Sequence, residues 1–223
     1  LVARSVFVTG TDTDVGKTYV GCLLLEHLTK AGVRARAYKP VASGFAEASG
    51  SDGARLWNAT ACQGDFDSVS PQRFAPPFAP AVAAAMEGKT IDEEQILTGW
   101  RAQADRCEFL LIEGAGGLFS PVSRRYTNAD LIRTFETSAI LVAGWKLGLV
   151  HQVVCCLVAA RSIGIRFERI VLSEAAPQTD AAAASHLRLL RESLSQDPEW
   201  STLPITEIRH GTTDWPADDI VTR

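Results

Sequence analysis

Short apolar runs alternate with amphipathic stretches along most of this chain. "SVFVT" (5–9) is a β-branched run that predicts a buried strand. Residues 17–31 carry Val20, Leu23, Leu24 and Leu28 at helical spacing and stop at Gly32, so they predict a helix. "VRARAY" (33–38) predicts a second strand ending at Lys39-Pro40, and "ARLWNATA" (54–61) a short helix. Residues 65–80, rich in Pro, Ser, Phe and Asp, predict an ordered loop. Helices are predicted over 79–87 and 91–106, with buried strands at "FLLIE" (109–113) and "SAILVAG" (138–144). A helix over 149–164 ends in glycine, and "FERIVLS" (167–173), a helix at 180–195 and "LPITEI" (203–208) complete the series.

Strand–helix alternation with continuous apolar strand runs predicts an α/β fold: one doubly wound, mostly parallel sheet of P-loop NTPase type, with helices on both faces. No internal repeat or long linker divides the chain, so residues 1–223 are expected to form one domain, with a polar, mobile tail at about 211–223. The composition is that of an ordinary globular protein, 46% hydrophobic and 22% charged. A net charge of −4 argues against a nucleic-acid partner. The five cysteines, Cys22, Cys62, Cys107, Cys155 and Cys156, have no metal-binding spacing and read as buried, reduced thiols of a cytoplasmic protein. "SVFVTG" is too short for a signal peptide or a membrane span, so no membrane partner is expected. No Met opens the chain, which points to a trimmed start.

In such folds ligands bind beyond the carboxyl ends of the strands. Three polar, glycine-bearing segments fall there: Gly10–Thr18 ("GTDTDVGKT"), Lys39–Gly44 ("KPVASG") and Glu113–Gly117 ("EGAGG"). They are expected to converge on one crevice. The first ends like a phosphate-binding loop, although five residues rather than four separate Gly10 from Gly16. Lys17 supplies a charge for the β- and γ-phosphates, Thr18 a hydroxyl for Mg²⁺, and the helix start points its positive end at the anion. The extra residue brings Thr13 or Asp14 closer to a second ligand. Glu113 ends an apolar strand, as a carboxylate delivered to Mg²⁺ does. The small residues after it, Gly114, Ala115, Gly116 and Gly117, let the backbone approach a ligand closely. Asp52, in "GSDGARL", is either a helix N-cap or a further Mg²⁺ ligand. Lys39, fixed before Pro40, points a second cation at the crevice, and Ser43 adds a hydroxyl four residues on.

"FVTGTDTDVGKT", "YKPVASG", "LIEGAGGLFSPV" and "KLG" (146–148) together resemble the dethiobiotin synthetase family. The resemblance runs from the first strand to at least residue 173, and the five-residue loop spacing is itself a family feature. It implies an ATP- and Mg²⁺-dependent cyclo-ligase of biotin biosynthesis. In that reaction 7,8-diaminononanoate and CO₂ (or bicarbonate) give a carbamate. The carbamate attacks the γ-phosphate of ATP, and the remaining amine closes on the mixed anhydride to form a cyclic urea. The resemblance implies Lys39, with Lys17, as the catalytic lysines, and Thr18, Asp52 and Glu113 as Mg²⁺ ligands. Asp14, Val15, Gly16, Lys17, Thr18 and Tyr19 would bind nucleotide, together with Asp52 and Glu113 through Gly116. Substrate contacts would come from Thr13, Ser43 and Gly117, and from Leu147 and His151 after "KLG" of the partner chain, because the family works as a homodimer with substrate at the interface.

This chain departs from the family pattern at three places. His151 stands where asparagine is usual. Ser173, followed by Glu174, stands where many relatives have an asparagine near the adenine. Arg209, expected with Ser173 and Glu174 on the adenine side of the nucleotide site, replaces a proline in the late segment. Ser173 reaches less far than asparagine, so weak base selectivity is the expectation. Two other readings are an ATP-dependent ligase acting on another diamine or carboxylate, and a partition-ATPase-like nucleotide switch. The switch relatives usually carry another lysine early in the loop, where this chain has Thr11, Asp12 and Thr13.

Overall fold

The computed structural model describes residues 3–44, 50–174, 177 and 183–216. Six parallel strands form the main sheet. In chain order they are β1 (Arg4–Gly10), β2 (Ala35–Tyr38), β5 (Phe109–Gly117), β6 (Ser138–Gly144), β7 (Phe167–Ser173) and β8 (Ile205–Ile208). Their order across the sheet is β2-β5-β1-β6-β7-β8. The chain therefore winds first to one side of β1 and then to the other, and the switch point lies at the carboxyl end of β1.

Alternation along the strands fills both faces. Val6 and Val8 of β1 face one cluster with Leu111, Val142 and Val171, covered by α1 (Lys17–Lys30) and α2 (Asp52–Ala59). Phe7, one residue out of phase, joins Leu110, Ile112 and Ala139 on the other face. That face is closed by α5 (Glu93–Ala104) and α6 (Asn128–Thr134). A third cluster carries α7 (Leu149–Ser162) and α8 (Ala183–Leu194) over Leu141, Ala143, Ile170 and Leu172. Strands buried on both faces explain why their sequences read as apolar runs rather than alternations.

The expected strands and helices are present, with four corrections. Residues 65–80 are not only loop: they hold α3 (Phe66–Val69) and β4 (Gln72–Phe74). "KPVASG" holds β3 (Val41–Ser43), which pairs with β4 in a separate two-stranded parallel ribbon. Three-residue strands are too short to show a period. Strand β5 runs on through Gly117, so "EGAGG" is a bulged strand end. Val8 pairs with Glu113, but Gly10, two residues on, pairs with Gly117, four residues on. Helix α6 was not expected, although Thr127 and Asp130 form a full capping box at its start.

Cys62 and Cys155 are exposed, unlike the buried thiols expected, while Cys107 is buried; all five cysteines are free. The tail is seated at its start: Trp215 is buried and Lys30 pairs with Asp214 at 2.9 Å. Its remainder, 217–223, lies outside the described residues, as do 180–182 at the expected start of α8. Among the described residues no helix is long and apolar enough to cross a membrane.

Candidate active site

The three segments converge. A crevice of about 610 Å³ opens over the carboxyl ends of β1, β2 and β5. From the first loop it is lined by Thr13, Asp14, Gly16, Lys17, Thr18 and Tyr19, and from the second by Lys39 and Ser43. The third segment contributes Glu113, Gly114, Ala115 and Gly116, and Asp52 and Glu174 close the edges.

The loop geometry follows from two unusual backbone positions. Asp14 has φ 55°, and Gly16 sits at φ 91° as the N-cap of α1. At Gly16 a Cβ would lie 2.4 Å from Ser173 Oγ, so only glycine permits both the left-handed turn and the approach to β7. Lys17 then begins α1 and donates to the backbone oxygen of Asp12 at 2.9 Å. Burial pushes its ammonium below the ordinary lysine range, with Glu113 pulling the other way and Lys39 adding to the drop. Asp12 also pairs with Lys146 of "KLG" at 3.3 Å.

The centre of the crevice is a mixed-charge cluster. Thr18 Oγ1 donates to Glu113 Oε1 at 2.9 Å. Lys39 Nζ donates to the same oxygen at 2.5 Å and lies 3.3 Å from Asp52 Oδ2. Lys39 is 4% exposed and Glu113 1%. Burial works against the Lys39 ammonium, but Glu113 and Asp52 outweigh it and hold its pKa above the ordinary lysine range. Asp52 shows the reverse: burial raises its pKa, but the Lys39 ammonium, helped by the nearby Thr18 hydroxyl, brings the net value below the usual carboxylate range.

Of the two readings of Asp52, the structure excludes the N-cap. Ser51 caps α2 by accepting from the Ala54 N–H at 3.2 Å, which leaves the half-exposed Asp52 carboxylate to face Lys39. The small residues after Glu113 have a packing reason as well. A Cβ at Gly114 would strike Asn128 Oδ1 at 2.5 Å and Phe7 Cε1 at 2.7 Å. Asn128 in turn donates to the Ala115 and Gly117 carbonyls, both at 2.7 Å, and holds the bulge.

Other sequence-expected residues stand outside the crevice lining. Val15 is buried and packs toward Gly144. Ser173 is fully buried beneath Gly16 and does not reach the crevice surface, because β7 ends directly under the loop. Gly117 accepts from Asn128 and donates its N–H to Ser120 Oγ at 2.8 Å. Arg209 stacks on Trp145 at 3.7 Å and pairs with Glu207 at 3.0 Å. Leu147 is 83% exposed, and His151 is exposed on the first turn of α7 beside Cys155.

Several crevice residues escaped the sequence reading. Arg55 lies three residues after Asp52 on the same face of α2, a spacing that gave a usable signal. His210 and Gly211 reach the edge only because β8 ends there, and no local motif announces them. Their loop is tied at two points. The Glu174 carboxylate accepts from the His210 N–H at 3.1 Å, and the Tyr19 hydroxyl donates to the Thr212 carbonyl.

The oxygen set of Thr18, Asp52 and Glu113 fits a hard divalent cation. Glu113 Oε2 is buried and has no hydrogen-bond partner among the described residues, so this carboxylate has an acceptor to spare. Two carboxylates and a hydroxyl are the sparse set that Mg²⁺ accepts when phosphate and water complete its shell.

Residues 4–198 match the AAA domain family. The chain is 40% identical over 184 residues to a protein named ATP-dependent dethiobiotin synthetase from Caulobacter vibrioides, covering 79% of this chain and 84% of that one. A protein of the same name from Serratia marcescens is 36% identical over 199 residues, covering 86% and 87% of the two chains. One from Escherichia coli is 36% identical over 180 residues, covering 79% and 80%.

Proposed function

The chain belongs to the dethiobiotin synthetase family, and we propose that it joins 7,8-diaminononanoate and CO₂ into the ureido ring of dethiobiotin with cleavage of ATP. The observation that carries this reading is the pair of buried lysines, Lys17 and Lys39, held in one crevice with Glu113, Asp52 and Thr18. A carbamate and a γ-phosphate are both anions and repel as they meet. Fixed cations at the meeting point lower that barrier.

The steps balance as follows. One amine adds to CO₂ and loses a proton, giving the carbamate. A carbamate oxygen attacks the γ-phosphorus and ADP leaves. The second amine then attacks the carbonyl carbon and loses a proton as the C–N bond forms, and inorganic phosphate departs with the carbonyl–oxygen bond broken. In this scheme the backbone of Asp14 through Thr18 cradles the phosphates and Tyr19 flanks them. Lys17 neutralises the phosphates, and Lys39 stabilises the charge that develops between carbamate and phosphorus. Thr13, Ser43 and the strand end through Gly117 orient the diamine. Thr18, Asp52 and Glu113 would hold Mg²⁺, which when bound supplies charge neutralisation on the phosphate oxygens.

Leu147 and His151 are exposed and absent from the lining of their own crevice, as residues that serve a second copy's substrate would be. That favours a homodimer with the diamine at the interface. Five free thiols suit the cytoplasm. The deciding assay combines protein, diaminononanoate, bicarbonate, Mg²⁺ and ATP, and reads product by mass. Dethiobiotin formed only in the complete mixture is expected. ATP hydrolysis that ignores the diamine would favour a nucleotide switch, and turnover with a different diamine a paralogous ligase.

A further inference from the structure

Glu113 and Asp52 place two carboxylates around a single ammonium. Lys39 Nζ touches both, at 2.5 and 3.3 Å. The oxygen it holds most closely, Glu113 Oε1, also accepts from Thr18. These are the same three side chains that offer a hard-cation donor set. Meanwhile Glu113 Oε2 stays buried with no partner among the described residues. A buried carboxylate oxygen left without a donor is unfavourable, so the cluster is arranged for more positive charge than Lys39 supplies. The lysine is also built to move only at its tip. Its backbone N–H donates to Val69 O at 2.8 Å and Pro40 follows it, which fixes the main chain and leaves a flexible four-carbon stem.

We infer that Lys39 is a placeholder cation. Its ammonium neutralises Asp52 and Glu113 in the metal-free protein and leaves them when Mg²⁺ arrives with nucleotide, which frees it for the reacting anions. The inference rests on the reading of Thr18, Asp52 and Glu113 as the Mg²⁺ holders. Its logic is competition: an ammonium and a divalent ion cannot share the same oxygens without strong repulsion. Nucleotide-free protein should therefore bind Mg²⁺ poorly. Lys39 should become available to substrate only after metal and nucleotide are in place, so the catalytic cation is delivered in the same event that completes the site.

The test needs no turnover. Mg²⁺ binding to nucleotide-free protein is measured by calorimetry, with Mn²⁺ and electron paramagnetic resonance as a second probe, and Tm is followed with Mg²⁺ or chelator. Wild type should bind Mg²⁺ weakly and show a Tm indifferent to it. Lys39→Met should bind Mg²⁺ at least about tenfold more tightly, because the competing charge is gone. Its Tm should fall in chelator and recover with Mg²⁺. If Lys39→Met binds Mg²⁺ no better than wild type, while Glu113→Gln loses Mg²⁺-dependent nucleotide binding, the metal site stands and the placeholder is overturned. If Glu113→Gln keeps the wild-type Mg²⁺ dependence, both readings fall. Should Lys39→Met not fold, Lys39→Arg replaces it. A guanidinium fork grips the two carboxylates more firmly, so Mg²⁺-dependent nucleotide binding should weaken about tenfold, and an unchanged value counts against the placeholder.

Discussion

The two ends of the crevice are built differently. At the phosphate end, Lys17, Lys39, Glu113 and Thr18 are buried; Glu113, on the interior strand β5, accepts directly from Lys39 and Thr18, and Lys17 donates to the Asp12 carbonyl. At the other end, Glu174, His210 and Gly211 sit where β7 and β8 stop at the sheet margin, held by the Glu174 carboxylate accepting from the His210 N–H and by the Tyr19–Thr212 contact. Charge handling requires groups that are fixed once metal and nucleotide are in place, because reorganising dipoles during the chemical step is what the site avoids. Recognition of a base tolerates adjustment. The rigid end should thus govern kcat, and the margin should govern KM and nucleotide choice.

The contrast breaks most sharply at Lys39. Lys39→Ala should lower kcat on the order of 10²–10³-fold while ATP still binds, since its partner is the reacting pair rather than the resting phosphates. Lys17→Ala should weaken nucleotide binding as well. Steady-state kinetics with fluorescent nucleotide titration separate the two, and near-normal kcat in Lys39→Ala would remove Lys39 from the chemistry.

Gly16→Ala sharpens the same point with a smaller effect. The new Cβ must adopt a left-handed φ and meets Ser173 Oγ at 2.4 Å. The backbone strain alone is roughly 1–2 kcal/mol, so nucleotide affinity should drop about tenfold. Adding Ser173→Gly removes the collision but not the strain, and should restore part of the loss. No recovery in the double variant would mean that the steric contact is unimportant.

The difference between the two ends also sets what could be read from sequence. Glu113 ends an apolar run and Lys39 follows a strand directly before Pro40, while Lys17 and Thr18 close a glycine-bearing loop whose "GKT" is itself a signal. Asp52 was half legible, because "SD" before a helix supplies two candidate caps and only the fold shows Ser51 doing that work. The three-residue β3 and β4 carry no period, so the ribbon that positions Ser43 was invisible. Ser173 misled in another way. Its place in the chain suggested the base, but β7 delivers it under Gly16, because the bare backbone there lets the strand end approach. His210 and Gly211 had no local signature, since their role depends on where β8 stops.

The pH dependence of stability follows from the central ion cluster and tests its rigidity. Lys39 is held above the ordinary lysine value of 10.5, so its contribution is fully present below pH 10.5 and is lost as pH rises through the higher folded value. Asp52 is held below 3.8, so its contribution is present above pH 3.8 and is lost as pH falls through the lower folded value. Lys17 runs opposite to Lys39. Its depressed value makes it a cost at neutral pH that is relieved as pH climbs toward 10.5. Urea unfolding from pH 3 to 11 should show Asp52→Asn losing part of the acid-side slope and Lys39→Met part of the alkaline one. Unchanged slopes in both variants would mean that the cluster is no tighter than the margin.

The smallest expected effect lies at the margin itself. Ser173 is fully buried beneath Gly16 and outside the crevice lining, so its hydroxyl does not reach a base bound there. Ser173→Ala should leave the ratios of kcat/KM for ATP, GTP and CTP within about twofold of wild type. Glu174 faces the crevice and anchors the His210 N–H at 3.1 Å, so Glu174→Ala should release that loop. Losing one such hydrogen bond is worth about 0.5–1.5 kcal/mol, or roughly 2- to 13-fold, and should appear in KM with kcat unchanged. With Ser173 buried away from the crevice, GTP and CTP should support turnover within about an order of magnitude of ATP. A preference for ATP above roughly a thousandfold would show that the margin reads adenine as strictly as the centre handles phosphate. A change in selectivity from Ser173→Ala would place the reading beneath Gly16 after all, and the two ends would then be one continuous, rigid site.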